Sequence, residues 1–262
     1  MVKFTTGMLP ENSLAARPGK MSDFSEDSLL GGRVRLRQPR DGYRAAIDPV
    51  FLAAMVPAKD GESVLDLGSG VGAASLCLAA RVTGCRVFGI EMQPALVALA
   101  RDNVELNGMQ GRVEAIIGTL AAPPPRLAPG SYHHVMSNPP YSETGTPSPH
   151  PGKAAANHEG EVDLAAWMRF AVNMLRPKGT LVVVHRADRL NHLLTALGSK
   201  VGEVMVYPLW PKPGRPAKRV LVRARKGSAT PMALLPGLTL HEADGRYTAA
   251  ADAVLRDGAG LQ

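Results

Sequence analysis

Residues 63–72 read SVLDLGSGVG, a short apolar run that is followed by three alternating glycines. An apolar run of this length predicts a buried strand, and the next residues, ASLCLAARV, predict a helix. Glycines in such a turn let the backbone approach a ligand closely, and the N-terminus of the helix then faces that ligand. The stretch therefore predicts a ligand-binding turn that includes Asp66, Gly68, Gly70 and Gly72.

The residues after this turn narrow the choice of ligand. A second short apolar run, RVFGIE, ends in Glu91, about 20 residues after the glycines, where a carboxylate can accept both hydroxyl hydrogens of a ribose. Turns of this type bind NAD, FAD or S-adenosylmethionine, and some are purely structural. The spacing G-x-G-x-G behind an acid favours S-adenosylmethionine, because that ligand has no pyrophosphate and carries an amino group and a sulfonium that Asp66 suits. Asp66 also has a structural alternative, in which its side chain caps the amides of the turn.

Strand and helix patterns alternate through the remainder of the chain. The helical segments include PALVALARDNVELNG, which begins with Pro94 and ends at Gly108, and residues 163–176, with Asp163 as the N-cap. Alternating strands and helices with short loops predict an α/β fold, with a mostly parallel sheet of seven strands and helices on both faces. The last two strands are joined by WPKPGRPA, which is too short for a crossover helix, so the last strand is expected to be antiparallel. The seven predicted strands are SVLDLG, RVFGIE, RVEAIIG, YHHVMS, LVVVH, VGEVMVYPL and KRVLVRARK.

The chain divides into an N-terminal leader and one folded region. Residues 1–28 are polar, are broken by prolines and lack apolar periodicity, which predicts a disordered leader, and Met21 is an alternative candidate for the start of the chain. Neither a long uncharged apolar run nor a secretory core occurs, so a soluble cytoplasmic protein without a membrane span is expected. Residues 29–262 are expected to form a single domain, with a basic N-terminal extension at 29–60, the core at 61–225, and a short strand and terminal helix at 226–262.

The positive charge of the chain, +7 in total, is concentrated in two segments. Residues 33–44 carry +4 and residues 212–226 carry +7, so the remainder of the chain carries −4. Such segments are either ordinary solvated faces or binding surfaces for a polyanion, and nucleic acid is the most common polyanion in the cytoplasm. The residues predicted to contact nucleic acid are Arg35, Arg37, Arg40, Lys212, Arg215, Lys218 and Arg219.

The sequence Asn138-Pro139-Pro140-Tyr141 follows the fourth predicted strand and is the strongest catalytic signal in the chain. Without context it would be only a stiff turn. The amide carbonyl of Asn138 and the backbone carbonyl of Pro139 can each accept one N–H of a planar amine, which positions its nitrogen and stabilises the positive charge that develops there. Pro140 stiffens the loop, and Tyr141 offers a face on which a planar base can stack. The motif therefore predicts methylation of an amino nitrogen without a strong general base.

The order of these features resembles the class I S-adenosylmethionine-dependent methyltransferases over residues 45–225. This resemblance implies their Rossmann-like fold, with S-adenosylmethionine as the cofactor. Many of those enzymes place an aspartate near the adenine at the end of the third strand, whereas this chain has Thr119, whose hydroxyl can accept the same hydrogen bond. Enzymes with this N-P-P-Y motif methylate adenine N6, cytosine N4 or guanine N2 of nucleic acid, or glutamine N5 of peptide-release factors.

Two further segments favour one of these substrates. PRDGYRAAIDPVFLAAMV and GKAAANHEGEVDLAAWMRFAVNMLRPKGTLVVVHRADRL resemble the small adenine-N6 methyltransferases that modify valine-accepting tRNA. This resemblance runs from about residue 29 to the C-terminus, and it implies a tRNA substrate with the adenine next to the anticodon as the target. It also implies that Asp48 lies near the cofactor and that His158 and Glu159 lie near the substrate loop. In the alternative interpretation, Asp48 is a helix N-cap and His158 is a solvated side chain.

Other functions stay open. A glutamine methyltransferase carries an N-terminal helical substrate domain, whereas the residues before this fold are polar and broken, and DNA adenine methyltransferases carry a sizeable recognition domain. A non-catalytic RNA-binding module would need neither the motif nor the glycine turn. The cysteines and histidines show no metal-ligand spacing, so no metal site is expected, and Trp167 is expected to be a core residue. The sequence is compatible with a monomer or a homodimer.

Overall fold

A nine-stranded sheet forms the centre of the protein, beside a separate two-stranded sheet. The computed structural model describes residues 24–41, 44–140 and 163–261. The helices are α1 (Asp48–Met55), α2 (Ala73–Arg81), α3 (Pro94–Leu106), α4 (Leu164–Met174), α5 (Leu190–Leu197) and α6 (Ala249–Asp257). The strands are β1 (Phe24–Leu29), β2 (Val34–Pro39), β3 (Ser63–Leu67), β4 (Arg86–Glu91), β5 (Val113–Ile117), β6 (Tyr132–Ser137), β7 (Leu175–Arg186), β8 (Val201–Trp210), β9 (Arg219–Lys226), β10 (Ala233–Leu234) and β11 (Leu238–Thr239).

The strand order of the main sheet is β5-β4-β3-β6-β7-β9-β8-β10, and β11 also pairs with β8. Neighbours among β3, β4, β5, β6 and β7 are parallel. β9 is antiparallel to both of its neighbours, β7 and β8. This arrangement confirms the predicted mostly parallel sheet, in which the last of the seven predicted strands is antiparallel. The short strands β10 and β11 extend the sheet along β8.

The residues of each central strand alternate between two hydrophobic cores, one on each face of the sheet. In β3, Val64 belongs to one core and Leu65 to the other, and Val182 and Val183 of β7 divide in the same way. Helices α1 and α2 contribute to the first core, and α4 and α5 to the second. Burial on both faces explains why these strands are continuous apolar runs in the sequence. None of the helices in the described ranges is long and apolar enough to span a membrane.

The end of α4 differs from its prediction. The helix ends at Met174, two residues before the predicted end, and β7 begins at Leu175, six residues before the predicted strand. Leu175 pairs with Tyr132 of β6. Pro177 has no N–H and disfavours helical backbone at the residue before it, so the chain becomes extended before the proline is reached.

The strands β1 and β2 form an antiparallel hairpin of their own. Because β1 begins at Phe24, the leader boundary predicted at residue 28 is wrong, and residues 24–28 belong to the fold. Residues 1–23 lie outside the described residues. A strand with one solvated face needs few apolar side chains, so the polar sequence FSEDSL gave no clear strand signal.

Candidate functional site

Three neighbouring strands bring the glycine turn, Glu91 and the start of the N-P-P-Y motif to one edge of the sheet. Leu67, at the end of β3, is paired with Ser137, at the end of β6. Gly68 and Asn138 therefore follow at adjacent positions where these two strands end. Glu91 ends β4, on the other side of β3. This edge is the one at which parallel α/β sheets bind their ligands.

The glycine turn adopts backbone angles that other residues rarely reach. The φ angles of Gly68, Gly70 and Gly72 are +70°, +55° and +86°. The N–H groups of Gly68 and Ser69 both donate to the carbonyl of Ile90 in β4, at 2.9 and 3.1 Å. The turn is thereby tied to the neighbouring strand, immediately before α2 begins.

Glu91 places a carboxylate beside this turn. Its Oε2 accepts a hydrogen bond from the Gly70 N–H at 3.1 Å, and its Oε1 accepts one from the Gln93 N–H at 3.0 Å. Two exposed apolar side chains lie close to Glu91. Met92 follows it in the sequence, and Ile117 of β5 is paired with Glu91 in the sheet. A carboxylate beside exposed apolar side chains suits a ligand that combines hydroxyl groups with a planar ring.

Asp66 lies behind the turn and is buried, with 2% of its surface exposed. Its Oδ2 accepts a hydrogen bond from the Ser75 hydroxyl at 2.7 Å, near the start of α2. Burial raises the pKa of Asp66 to about 7, the Ser75 hydrogen bond opposes this shift, and the nearby Glu91 charge adds to it. A cation placed next to this carboxyl would favour its ionised form, so Asp66 fits a ligand with a positively charged group.

The hydroxyl of Ser69 gives a separate sign of a ligand in the turn. Its Oγ is buried and has no hydrogen-bond partner among the described residues. Gly89 of β4 provides the space for this side chain, because a Cβ at residue 89 would lie 2.7 Å from the Ser69 Oγ. A buried hydroxyl without a partner costs about 1–3 kcal/mol, and a polar ligand group that reached it would remove that cost.

Trp167 of α4 connects the glycine turn to the strand that precedes the N-P-P-Y motif. Its Nε1–H donates a hydrogen bond to the Ser137 Oγ at 2.9 Å, and the Ser137 hydroxyl donates to the Leu67 carbonyl at 2.9 Å. The indole also packs against Gly68, where an added Cβ would lie 3.2 Å from the ring. Trp167 is buried, which confirms the prediction of a core residue, but these contacts were not predicted. The available signal was the indole N–H, which usually finds a partner when it is buried.

The structure describes the first three residues of the N-P-P-Y motif. Asn138 is half-buried, Pro139 is buried and Pro140 is exposed. Pro139 therefore anchors the loop at the end of β6, and Asn138 lies directly after the Ser137 side chain that Trp167 holds. The predicted site residues Tyr141, His158 and Glu159 lie outside the described residues.

Thr119 lies at the same edge of the sheet, two residues after the end of β5. Its side chain is exposed, and its Oγ1 accepts a hydrogen bond from the Ala122 N–H at 3.0 Å. The hydroxyl therefore stabilises a turn here, and it retains a donor hydrogen and a second lone pair for a ligand.

Asp48 and Arg219, which were assigned to different predicted surfaces, form an ion pair with each other. The Arg219 Nε lies 2.8 Å from the Asp48 Oδ2. Asp48 is the first residue of α1, whose N-cap is Ile47, so the alternative interpretation of Asp48 as the N-cap is wrong. The pair joins the start of α1 to the start of β9, at the same edge of the sheet as Asn138.

The hairpin arginines contact acidic residues that were assigned to the leader. Arg35 and Arg37 of β2 both pair with Glu26 of β1, at 2.6 and 3.4 Å. Arg44 pairs with Asp27 at 2.6 Å. Residues 24–44 therefore carry a net charge of +2, compared with +4 for residues 33–44. Arg40 follows the end of β2.

Asn103 of α3 and Asn107, the C-cap residue of that helix, fix this hairpin beside the glycine turn. Asn103 accepts a hydrogen bond from the Arg37 N–H at 2.7 Å and donates to the carbonyls of Arg37 and Val71, at 2.9 and 3.0 Å. Asn107 accepts from the Arg35 N–H at 2.8 Å and donates to the Arg35 carbonyl at 2.7 Å. Residues four apart on a helix thus match residues two apart on a strand. The hairpin is part of the wall around the site.

The loop between β8 and β9 carries the clearest positive surface near the site. Lys212, Arg215 and Lys218 are exposed, and none of them is within ion-pair distance of a carboxylate in the described part of the chain. Because β9 is antiparallel to β7, this loop extends from the edge at which β6 and β7 end. These three cations therefore lie on the same side of the molecule as Asn138.

Comparison with known proteins assigns this geometry to a family. The methyltransferase small domain profile matches residues 47–207 of the chain, which include both the glycine turn and the N-P-P-Y motif. The tRNA1(Val) (adenine(37)-N6)-methyltransferase of Aeromonas hydrophila is 28% identical over 214 residues, which cover 80% of this chain and 87% of that protein.

Two solved structures show similar folds. A crystal structure of a predicted O-methyltransferase from Agrobacterium tumefaciens has a TM-score of 0.69 and 26% identity, and the match covers 82% of this chain and 98% of that one. A 16S rRNA methyltransferase of T. thermophilus, solved with AdoMet and guanosine, has a TM-score of 0.53 and 19% identity, with 78% of this chain and 50% of that one covered. The chain therefore belongs to the methyltransferase small domain family, and it is an S-adenosylmethionine-dependent methyltransferase with a class I fold.

Proposed function

We propose that this enzyme methylates an exocyclic amino nitrogen of RNA, and specifically the N6 of the adenine next to the anticodon of valine tRNA. The observation that carries the proposal is the pairing of Leu67 with Ser137, after which Gly68 and Asn138 follow at the ends of neighbouring strands. The similarity to the A. hydrophila tRNA enzyme, which extends over 80% of this chain, supports this substrate. A tRNA substrate goes together with a cytoplasmic location.

The residues around the glycine turn fit S-adenosylmethionine. The backbone of Gly68, Gly70 and Gly72 would lie against it, Glu91 would accept the ribose hydroxyls, and Asp66 would face the positively charged part. The unpaired Ser69 hydroxyl would gain a partner. Met92, Ile117 and Thr119 would surround the adenine, and Asp48 would lie at the far end of the site.

The motif residues would act on the amine that receives the methyl group. The bound cofactor supplies an electrophilic methyl group. The Asn138 side-chain carbonyl and the Pro139 backbone carbonyl would each accept one N–H of the adenine amino group. These bonds hold the nitrogen so that it can become pyramidal, which frees its lone pair from delocalisation into the base, and they stabilise the positive charge on the nitrogen. Once alkylated, the nitrogen loses a proton to water, so no strong general base is needed.

Mass spectrometry of tRNA tests the proposal. Valine tRNA from a strain that lacks the protein should have no N6-methyladenosine next to the anticodon, and the purified enzyme with S-adenosylmethionine should restore it. A peptide with the glutamine-containing segment of a release factor should remain unmethylated in the same assay. Methylated peptide with unmodified tRNA would instead support the glutamine-N5 alternative, and no transfer to either would support a non-catalytic RNA-binding module.

The exposed cations of the β8–β9 loop are expected to bind RNA phosphates. Replacing Lys212, Arg215 and Lys218 together by alanine should reduce the slope of log K against log salt concentration by up to about three. Arg219 is left out of this variant, because its loss would expose the Asp48 carboxylate. Filter-binding titrations of the same tRNA across a range of salt concentrations measure the slope.

A matched control carries three alanines at the opposite edge of the sheet. Lys59, Lys178 and Lys200 are exposed and lie before or at the start of β3, β7 and β8. Their replacement removes the same total charge, so it should change the slope much less than the loop variant does. If the two variants have equal slopes, the loop is only a solvated face.

Trp167 is expected to affect turnover through Ser137. Trp167→Phe keeps an aromatic ring against Gly68 and loses the N–H that holds Ser137, so kcat should fall about tenfold while the Kd for the cofactor changes little. A double-mutant cycle with Ser137→Ala measures the coupling, because two changes that break the same hydrogen bond should be strongly non-additive. Additive losses of kcat would show that the two residues act independently.

A further inference from the structure

A cavity of about 450 Å³ lies beside the β8–β9 loop, outside the cofactor turn and the N-P-P-Y motif. Trp210 and Thr239 line it from the sheet, and Lys212, Arg215 and the neighbouring prolines line it from the loop. Its volume is in the range of cavities that bind small ligands. We call this cavity the Trp210 pocket.

The sheet side of the Trp210 pocket is held in place by the C-terminal strands. The indole Nε1–H of Trp210 donates to the Pro236 carbonyl at 3.0 Å, which fixes the orientation of the ring. Thr239 is paired with Trp210 in the sheet, and the Leu240 N–H donates to the Trp210 carbonyl at 2.7 Å. A half-buried ring that is already ordered can stack on a ligand with little loss of side-chain entropy.

The loop side combines two cations with a restricted backbone. The Arg215 N–H donates to the Lys212 carbonyl at 3.2 Å, which closes a turn, and Gly214 within it has a φ of +69°. Pro213 and Pro216 restrict the backbone on either side. The Lys212 Nζ donates to the Ala243 carbonyl at 3.2 Å, so this cation is held near the cavity by an uncharged acceptor.

The chemistry of the walls selects the ligand. A tryptophan ring provides a stacking surface for a nucleobase, and the lysine and arginine beside it can bind a phosphate. Sites for single-stranded nucleic acid combine these two features. An acidic peptide would use the two cations and leave the indole without a matching group. The pocket therefore fits a nucleotide with a free base better than it fits a peptide.

The pocket lies close enough to the N-P-P-Y motif for one RNA strand to reach both. Trp210 ends β8, which is separated from β6 by β7 and β9, so the two strands are roughly 14 Å apart across the sheet. Both β6 and β8 end at the same edge, and the loop extends beyond it. An RNA with its target adenine at Asn138 can reach the pocket with a nucleotide of the same strand.

We propose that the Trp210 pocket binds an unpaired nucleotide that flanks the target adenine, with its base stacked on Trp210 and its phosphate bound by Lys212 and Arg215. This inference rests on the proposed RNA substrate and adds a recognition site that is separate from the catalytic one. It also gives the C-terminal segment a function, since Thr239 lines the pocket and the Pro236 carbonyl orients the indole of Trp210.

The test compares Trp210→Ala with Trp210→Phe, using a transcript of valine tRNA. Trp210→Ala should weaken tRNA binding about tenfold and raise the KM for tRNA, with kcat and the Kd for S-adenosylmethionine unchanged, because a lost base–aromatic stack affects binding alone. Trp210→Phe, which keeps a ring, should retain most of the affinity. Arg215→Ala, at an exposed side chain, should weaken tRNA binding in a salt-dependent way without a change in the melting temperature.

Tryptophan fluorescence gives a second measurement that does not depend on a destabilised variant. The chain has two tryptophans, and Trp167 is buried, so tRNA should quench the emission of Trp210 in the wild type and not in Trp210→Phe. If the wild-type protein methylated tRNA and Trp210→Ala bound tRNA with unchanged affinity, the proposed pocket would be overturned and the proposed function would be left intact. If the wild-type protein neither bound nor methylated tRNA, both the pocket and the proposed function would be overturned. If the pocket variants weakened only the binding of a glutamine-containing peptide, the pocket would belong to a protein ligand.

Discussion

Asn138→Ala is expected to lower kcat by a factor of about a hundred or more while the Kd for S-adenosylmethionine stays nearly unchanged. The side-chain carbonyl of Asn138 is proposed to accept an N–H from the amine as positive charge develops on its nitrogen, so its loss removes stabilisation of the transition state. The glycine turn is held to β4 by hydrogen bonds to the Ile90 carbonyl and the Glu91 carboxylate, and neither of these groups belongs to the substituted residue. Single-turnover rates with tRNA and calorimetry with the cofactor measure the two quantities.

Two comparison variants separate this role from a structural one. Asn138→Asp keeps an acceptor oxygen at the same position and should retain more activity than the alanine variant. Asn191→Ala changes an exposed asparagine on α5 and should leave both kcat and cofactor affinity unchanged. Near-normal turnover of Asn138→Ala would mean that the motif is only a turn after β6.

The central part of the fold was predictable because its signals are local. The apolar runs of β3 and β7 are buried on both faces, and glycines with positive φ follow β3, so strand, turn and helix can be read from consecutive residues. The antiparallel position of β9 followed from the shortness of one loop. These features need no knowledge of distant contacts.

The contacts that close the site depend on residues far apart in the sequence. Glu26 forms ion pairs with both Arg35 and Arg37 across a hairpin whose first strand is polar, so counting charges within residues 33–44 overstated the positive surface there. The Asp48–Arg219 pair joins residues 171 positions apart, and its two members were assigned to different ligands. Such pairs depend on the topology of the fold, and the spacing of charges along the chain does not predict them.

The contacts of Trp167, an aromatic residue, were also only partly predictable from the sequence. Helical periodicity identified it as core, and it is buried. Periodicity reports which side of a helix faces the protein and gives no information about the partner of the indole N–H. That partner is Ser137 at the end of β6, which is 30 residues away in the sequence and meets the indole only through the packing of α4 in the fold.

Asp66→Asn is expected to stabilise the cofactor-free protein at pH 8. The pKa of Asp66 is about 7 in the folded protein, compared with 3.8 as the ordinary value, so the folded state binds more protons than the unfolded state between these pH values. Stability is therefore lost as the pH rises from about 4 to about 7, by up to about 4 kcal/mol in total, and little further change is expected above pH 7. Asparagine does not titrate, and its carbonyl can still accept the Ser75 hydroxyl hydrogen. Denaturant unfolding should show that the advantage of the variant grows by about 2–3 kcal/mol between pH 5 and pH 8.

The same substitution is expected to weaken binding of S-adenosylmethionine, because a cofactor with a positive charge near residue 66 favours the ionised carboxylate. Below about pH 7, each increase of one pH unit should raise the affinity of the wild type for the cofactor by up to about tenfold, and above pH 7 this rise should level off. Asp66→Asn should lose this part of the pH dependence. Asp102→Asn, at an exposed position on α3, controls for the loss of one negative charge and should bind as the wild type does. Calorimetric titrations of the three proteins from pH 6 to pH 8 measure these affinities. If Asp66→Asn were more stable and bound the cofactor as tightly as the wild type at pH 8, the buried carboxylate would be only a structural liability, and the positive group of the cofactor would have to lie against another residue.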